Sequence, residues 1–131
     1  MHSPKLVEKE DVLNIQNKLI IQYGGLCGIR DEGLLDSAIA QPQATYGGEL
    51  LYPTIVEQGA AYLFHIIKNH AFVDGNKRTG YGVLVAFLNQ NDYELDMTPE
   101  EAEKLTTQVA DNKVDKEQLI EKLKNHIVEL F

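Results

Sequence analysis

Between His70 and Gly80 the chain reads His-Ala-Phe-Val-Asp-Gly-Asn-Lys-Arg-Thr-Gly, a dense polar stretch set between two strongly apolar segments. A stable core does not ask for it. An imidazole titrates near neutral pH, so His70 is suited to take a proton from an attacking hydroxyl. Gly75 and Asn76 tolerate backbone angles closed to most residues, and the apolar run after them predicts a helix whose first N–H groups carry partial positive charge. Lys77 and Arg78 add two cations over the same opening, so Gly75, Asn76, Lys77 and Arg78 together describe a phosphate cradle. Asp74 is out of place in a site that only attracts anions, but it fits one that holds a Mg²⁺ bridging phosphate oxygens, which favours a nucleotide over free phosphate. Phe72 is expected to pin the loop to the core. Taken singly, Asp74 is explained as a helix cap and Lys77 and Arg78 as solvated first-turn residues; their concentration in one loop is what points to chemistry.

The elements that must position this loop are helical. Val12, Ile15, Leu19 and Tyr23 recur at helical spacing, and Gly24-Gly25 stands where a left-handed C-terminal cap would end that helix. Asp31 is placed to cap a short second helix bearing Leu34, Leu35, Ala38 and Ile39 and closed by Pro42. Ala44 to Tyr52 has a Gly-Gly pair between residues of good strand propensity and predicts a small hairpin. The segments after Pro53 and after Gly80 are apolar almost all round and predict two central helices, with Gly80 and Gly82 allowing close approach of a crossing helix. Thr98-Pro99-Glu100-Glu101 reads as a capping box opening a fifth helix. Asp115 caps a sixth, whose apolar stripe is Ile120, Leu123, Ile127 and Leu130 and whose Glu117, Glu121, Lys122 and Lys124 face solvent. The expectation is an all-α fold, a bundle of about six helices with one small β-hairpin, forming a single domain over residues 1–131.

A net charge of −8 repels phosphate backbones, so direct nucleic-acid binding is not expected. The longest greasy stretch, Gly80 to Leu88, falls far short of the roughly 20 residues that span a bilayer, and Met1 to Asp11, charged and without a long apolar run, is not expected to act as a signal peptide. Cys27 is the one cysteine and excludes an intramolecular disulfide; its solitary place points to the cytoplasm, and the residue itself is expected to be buried or packed in a loop. His65 is expected as a hydrogen-bonded core histidine, while His2 and His126 lie in terminal segments without a constellation around them.

The loop resembles that of the Fic/Doc family, His-x-Phe-x-Asp/Glu-Gly-Asn-x-Arg, and His70, Phe72, Asp74, Gly75, Asn76 and Arg78 all match. Within the family the chain is similar to the Doc (death-on-curing) branch, the toxins of bacterial toxin–antitoxin pairs, because Lys77 stands where the nucleotidyl-transferring Fic members have glycine. The second arginine of the Fic pattern is also replaced, by Tyr81. The resemblance extends over most of the chain, including Gly24-Gly25-Leu26 with Gly28, and it makes the Ala44–Tyr52 hairpin a target-docking flap.

The resemblance implies that ATP lies reversed relative to the Fic enzymes and gives its γ-phosphate to a serine or threonine of a protein, with elongation factor Tu the implied target and translation the process blocked. It makes His70 the general base, Asp74 the Mg²⁺ ligand, and Gly75, Asn76, Lys77 and Arg78 the phosphate binders. Lys68, two residues before the histidine, is a further phosphate-binding candidate on the same ground. An inhibitory Ser/Thr-x-x-x-Glu-Gly/Asn helix is not found in the chain: its nearest match, Thr45 to Glu49, is followed by Leu50 and falls in the flap. Inhibition is therefore expected in trans, from a cognate antitoxin. The alternatives are AMP transfer to a protein hydroxyl, a non-enzymatic antitoxin-binding module, and, last, a metal-dependent phosphohydrolase, which lacks further His or Asp at ligand spacing.

Overall fold

The two apolar segments form α3 (Ile55–Asn69) and α4 (Asn76–Gln90), which pack on each other along their length in the computed structural model, where residues 4–131 are described. His2 lies outside the described residues. Gly80 explains how closely the pair approaches: a Cβ there would lie 3.1 Å from Ile67 Cγ1 and 3.3 Å from the Leu63 carbonyl oxygen. On its other side α4 meets α1 (Lys9–Tyr23), where a Cβ on Gly82 would stand 2.9 Å from Ile15 Cγ2. The core lies between these helices, with Leu63, Ile66, Phe72, Val83, Leu84, Phe87 and Leu88 completely shielded from solvent. Each such side chain contributes on the order of 1.5–3 kcal/mol of burial free energy.

The remaining elements cover that pair. Helix α2 (Glu32–Ala40) begins at Asp31, whose carboxylate accepts from Leu34 N, and a short 3₁₀ turn carrying Pro42 follows it. The hairpin forms as the sequence predicts, β1 (Thr45–Tyr46) against antiparallel β2 (Glu49–Leu50) around Gly47-Gly48, with both strands exposed. Helix α5 (Pro99–Ala110) starts with the reciprocal Thr98 and Glu101 capping bonds, and α6 (Lys116–Lys124) starts on Asp115. Leu119 and Leu123 of α6 are buried in the same core, and α6 packs on α3.

The end of the chain departs from the expected helix. After Lys124 the backbone turns at Asn125 and His126, and Ile127–Glu129 become a strand, β4, antiparallel to β3 (Tyr93–Leu95) in a second two-stranded sheet. Ile127 therefore packs from a strand, and Leu130 and Phe131 are exposed rather than part of an apolar helix stripe. The β-branched pair Ile127-Val128 suits a pleated strand, and the hydrogen bond from Asp96 N to the His126 carbonyl extends the pairing past its end. No helix among the described residues is long and apolar enough to cross a membrane. Cys27 is exposed in the loop after α1, its thiol donating to Asn17 Oδ1 at 2.9 Å.

His65, on α3, is half-buried, but its Nε2 has no hydrogen-bond partner, contrary to the expectation of a satisfied core histidine. Burial, with a smaller contribution from the Lys116 ammonium, pushes its imidazole down to about 4. The unfolded chain then binds this proton more readily than the native state, so the contribution of His65 to stability falls as pH drops below about 6.5 and levels off below about 4. His65→Gln, which does not titrate, is expected to flatten that window in urea denaturation midpoints taken from pH 7 to pH 4. An equal acid dependence in both proteins would contradict it.

Candidate active site

The loop between α3 and α4 is shaped by backbone pairing with the segment after α1. Ile29 and Phe72 form an antiparallel bridge, Val73 N donates to the Gly28 carbonyl at 3.0 Å, and Arg30 N and Asp31 N both donate to the Ala71 carbonyl. α3 ends at His70, which takes a left-handed conformation (φ 48°, ψ 49°) and so turns the chain out of the helix. A non-glycine residue in that region is strained by about 1–3 kcal/mol and needs support from its surroundings.

Asn76, the first residue of α4, is that loop's internal brace. Its Oδ1 accepts from Phe72 N and its Nδ2 donates to the Phe72 carbonyl, each at 3.0 Å. These two bonds fix which way the amide faces, so the NH₂ side also meets His70 Nδ1, at 3.3 Å. For the ring to take a proton on Nε2 it must give up this contact, which is slightly longer than the usual range of about 2.7–3.2 Å. The Asn76 side chain is buried and committed to the loop; what it offers a ligand is its main-chain N–H. Phe72 is wholly buried, and its backbone is bonded to Asn76 and bridged to Ile29.

Asp74 is exposed and fastens the loop to the turn after α1: Oδ1 accepts from Gly75 N at 2.8 Å and Oδ2 from Leu26 N at 3.2 Å. Each carboxylate oxygen takes one of these N–H bonds and keeps lone-pair capacity for a cation. No cluster of three metal-ligating side chains exists among the described residues. That donor set fits Mg²⁺, which takes one or two carboxylates and fills its remaining positions with phosphate oxygens and water.

Helix α4 begins after Gly75, which is left-handed at φ 74°, and no side chain caps it. The N–H groups of Asn76, Lys77 and Arg78 precede the first intrahelical bond, from Thr79 N to the Gly75 carbonyl, and there is no acidic residue in the first turn to neutralise them. They open on a cleft of about 810 Å³ walled by α1, α4 and α5, whose surface includes His70, Asp74, Lys77, Arg78 and Tyr81. The Arg78 guanidinium lies 4.3 Å from the centre of the Tyr23 ring at the end of α1, a cation–π contact that leaves its N–H groups free for an anion. Lys77 reaches toward α5, with Nζ 3.4 Å from Thr107 Oγ1. Neither cation is paired with a carboxylate among the described residues.

The structure thus gathers His70, Asp74, Gly75, Asn76, Lys77 and Arg78 on one cleft, and it leaves out Lys68. The Lys68 amine hydrogen-bonds Asn112 Oδ1 in the turn between α5 and α6 and does not line the cleft. Two contributors have no signal in the sequence pattern: Tyr23, which reads as one more apolar position of α1 yet is exposed and carries Arg78, and Arg30, a lone arginine in a loop. Tyr81 stands on the α4 wall half-buried, and burial raises its phenol above the usual tyrosine value, so it faces the cleft neutral.

The chain belongs to the Fic/Doc family, whose model matches residues 6–88. Among curated relatives, the chain is 41% identical over 111 residues to "Toxin Doc" of Mycolicibacterium smegmatis, covering 83% of each protein. It is 31% identical over 97 residues to "Protein kinase doc" of Escherichia phage P1, covering 74% of this chain and 76% of that one.

Proposed function

We propose that this chain is a Doc-type toxin of a toxin–antitoxin pair, an ATP-dependent protein kinase that transfers the γ-phosphate to a serine or threonine hydroxyl. The observation that carries this reading is the uncapped start of α4, with Lys77 and Arg78 over it, opening on the cleft that also holds His70. The names of the two relatives, a toxin and a protein kinase, support it.

In this reading the triphosphate rests on the N–H groups of Asn76, Lys77 and Arg78, and the two side-chain cations draw off the charge that builds on the equatorial oxygens. Asp74 would hold Mg²⁺, which when bound neutralises phosphate charge. The target hydroxyl oxygen forms a bond to the γ-phosphorus as the bond to the β,γ-bridging oxygen breaks. His70 takes the hydroxyl proton, and ADP leaves. Tyr81, neutral and uncharged, cannot pair with an α-phosphate as an arginine would, which favours γ- over α-transfer. The exposed hairpin would receive a target segment by strand addition, with main-chain hydrogen bonds supplying affinity and little sequence demand. Elongation factor Tu is the target taken from the Doc resemblance, and the silencing partner is an antitoxin supplied in trans, with both acting in the cytoplasm.

The decisive experiment offers purified elongation factor Tu ATP labelled at either the α- or the γ-phosphate. Transfer of γ-label alone is the expected result. Transfer of α-label would make the protein an adenylyltransferase, and no transfer of either would shift weight to an antitoxin-binding module.

A further inference from the structure

Three consecutive carbonyls at the end of α3 accept hydrogen bonds from one residue. Arg30 donates from Nη2 to the Asn69 carbonyl at 3.2 Å, from Nε to the His70 carbonyl at 2.6 Å, and from its main-chain N to the Ala71 carbonyl at 2.7 Å. The last carbonyls of a helix have no intrahelical donor, and the left-handed turn at His70 removes the N–H groups that a continuing helix would have supplied. The guanidinium presents its two N–H groups at the fixed spacing of a planar fork, and its charge faces the negative end of the α3 dipole. The clasp is tied to a rigid element: Arg30 directly precedes Asp31, the N-cap of α2, and Asn69 Nδ2 donates to the Leu34 carbonyl on that helix at 2.9 Å.

We propose that Arg30 is a positioning residue for His70, holding the left-handed turn from which the imidazole enters the cleft. Arg30 does not line the cleft. The inference rests on the reading of His70 as general base. It also specifies what Arg30 leaves alone: the phosphate cradle hangs from the Asn76–Phe72 and Asp74–Leu26 bonds, in which Arg30 takes no part.

Arg30→Ala is therefore expected to lower kcat for γ-phosphate transfer about tenfold to a hundredfold, the usual penalty for a small misplacement of a reacting group, with KM for ATP unchanged. Arg30→Lys should recover part of the loss, because one ammonium reaches one of the two side-chain-bonded carbonyls. Amide hydrogen exchange at His70 and Ala71 should quicken in Arg30→Ala. Unchanged kcat overturns the proposal, as does a rise in KM with kcat intact, which would place Arg30 in ATP binding. If Arg30→Ala does not fold, Arg30→Lys carries the same kcat-against-KM test. If the wild-type protein transfers no label, the reading of His70 is what has failed, and hydrogen exchange then decides the clasp by itself: faster exchange supports it and unchanged exchange overturns it.

Discussion

His70→Ala is expected to lower kcat for phosphate transfer by about 10²- to 10⁴-fold, the range spanned by a general base, while the protein stays folded. The residue is exposed, and its one side-chain hydrogen bond among the described residues is the long one to Asn76 Nδ2, so removing the ring leaves no buried cavity and no charged group stranded. Alanine in the left-handed position is more strained than histidine by little, since neither has glycine's freedom. Single-turnover transfer measured beside a thermal melt separates the two effects. A variant that kept kcat within threefold of the wild type would remove His70 from the chemistry and leave it as a C-cap.

Phe72→Ala is expected to cost about 3–5 kcal/mol, the range for emptying a fully buried aromatic site. A domain of ordinary stability has about 5–15 kcal/mol in total, so this one change consumes a third or more of it in most cases. The effect is large because the residue joins two systems. Its ring fills the core between α3 and α4, and its main chain is both the partner of the Asn76 brace and one half of the bridge to Ile29. Urea unfolding measures the loss. Transfer activity should fall even in conditions where the variant is folded, since the brace that orders the loop depends on where the Phe72 backbone sits. A loss under 1 kcal/mol would mean that the core closes over the gap and that the anchor role is wrong.

Local signals carried most of the architecture. Asp31, Thr98 and Asp115 cap α2, α5 and α6 as their positions suggest, because a cap is a bond between neighbours in sequence. Gly47-Gly48 turns the hairpin for the same reason. The end of α6 misled because Ile120, Leu123, Ile127 and Leu130 keep a helical spacing by coincidence, while the strand β4 depends on β3, more than thirty residues earlier, which no local pattern shows. In the site, the residue types were legible from the loop itself. Their division of labour was not: Asn76 looks like a phosphate ligand until its amide is seen bonded to Phe72, and Lys68 looks adjacent to the histidine until its amine is seen on Asn112. Arg30 belongs to the same class, since its partners lie about forty residues away and a single arginine has no periodicity.

The covering of α3 by α6 has a consequence for the order in which the protein is made. The helix that ends in His70 packs against α2, synthesised before it, and against α6, which includes Leu119 and Leu123 and is synthesised well after it. From Arg78 to Lys124 a ribosome working at about 5–20 residues per second needs roughly 2–9 seconds. For that interval every residue of the loop is present in the nascent chain without the helix that completes its support. The arrangement around His70 is therefore complete only once α6 has been made.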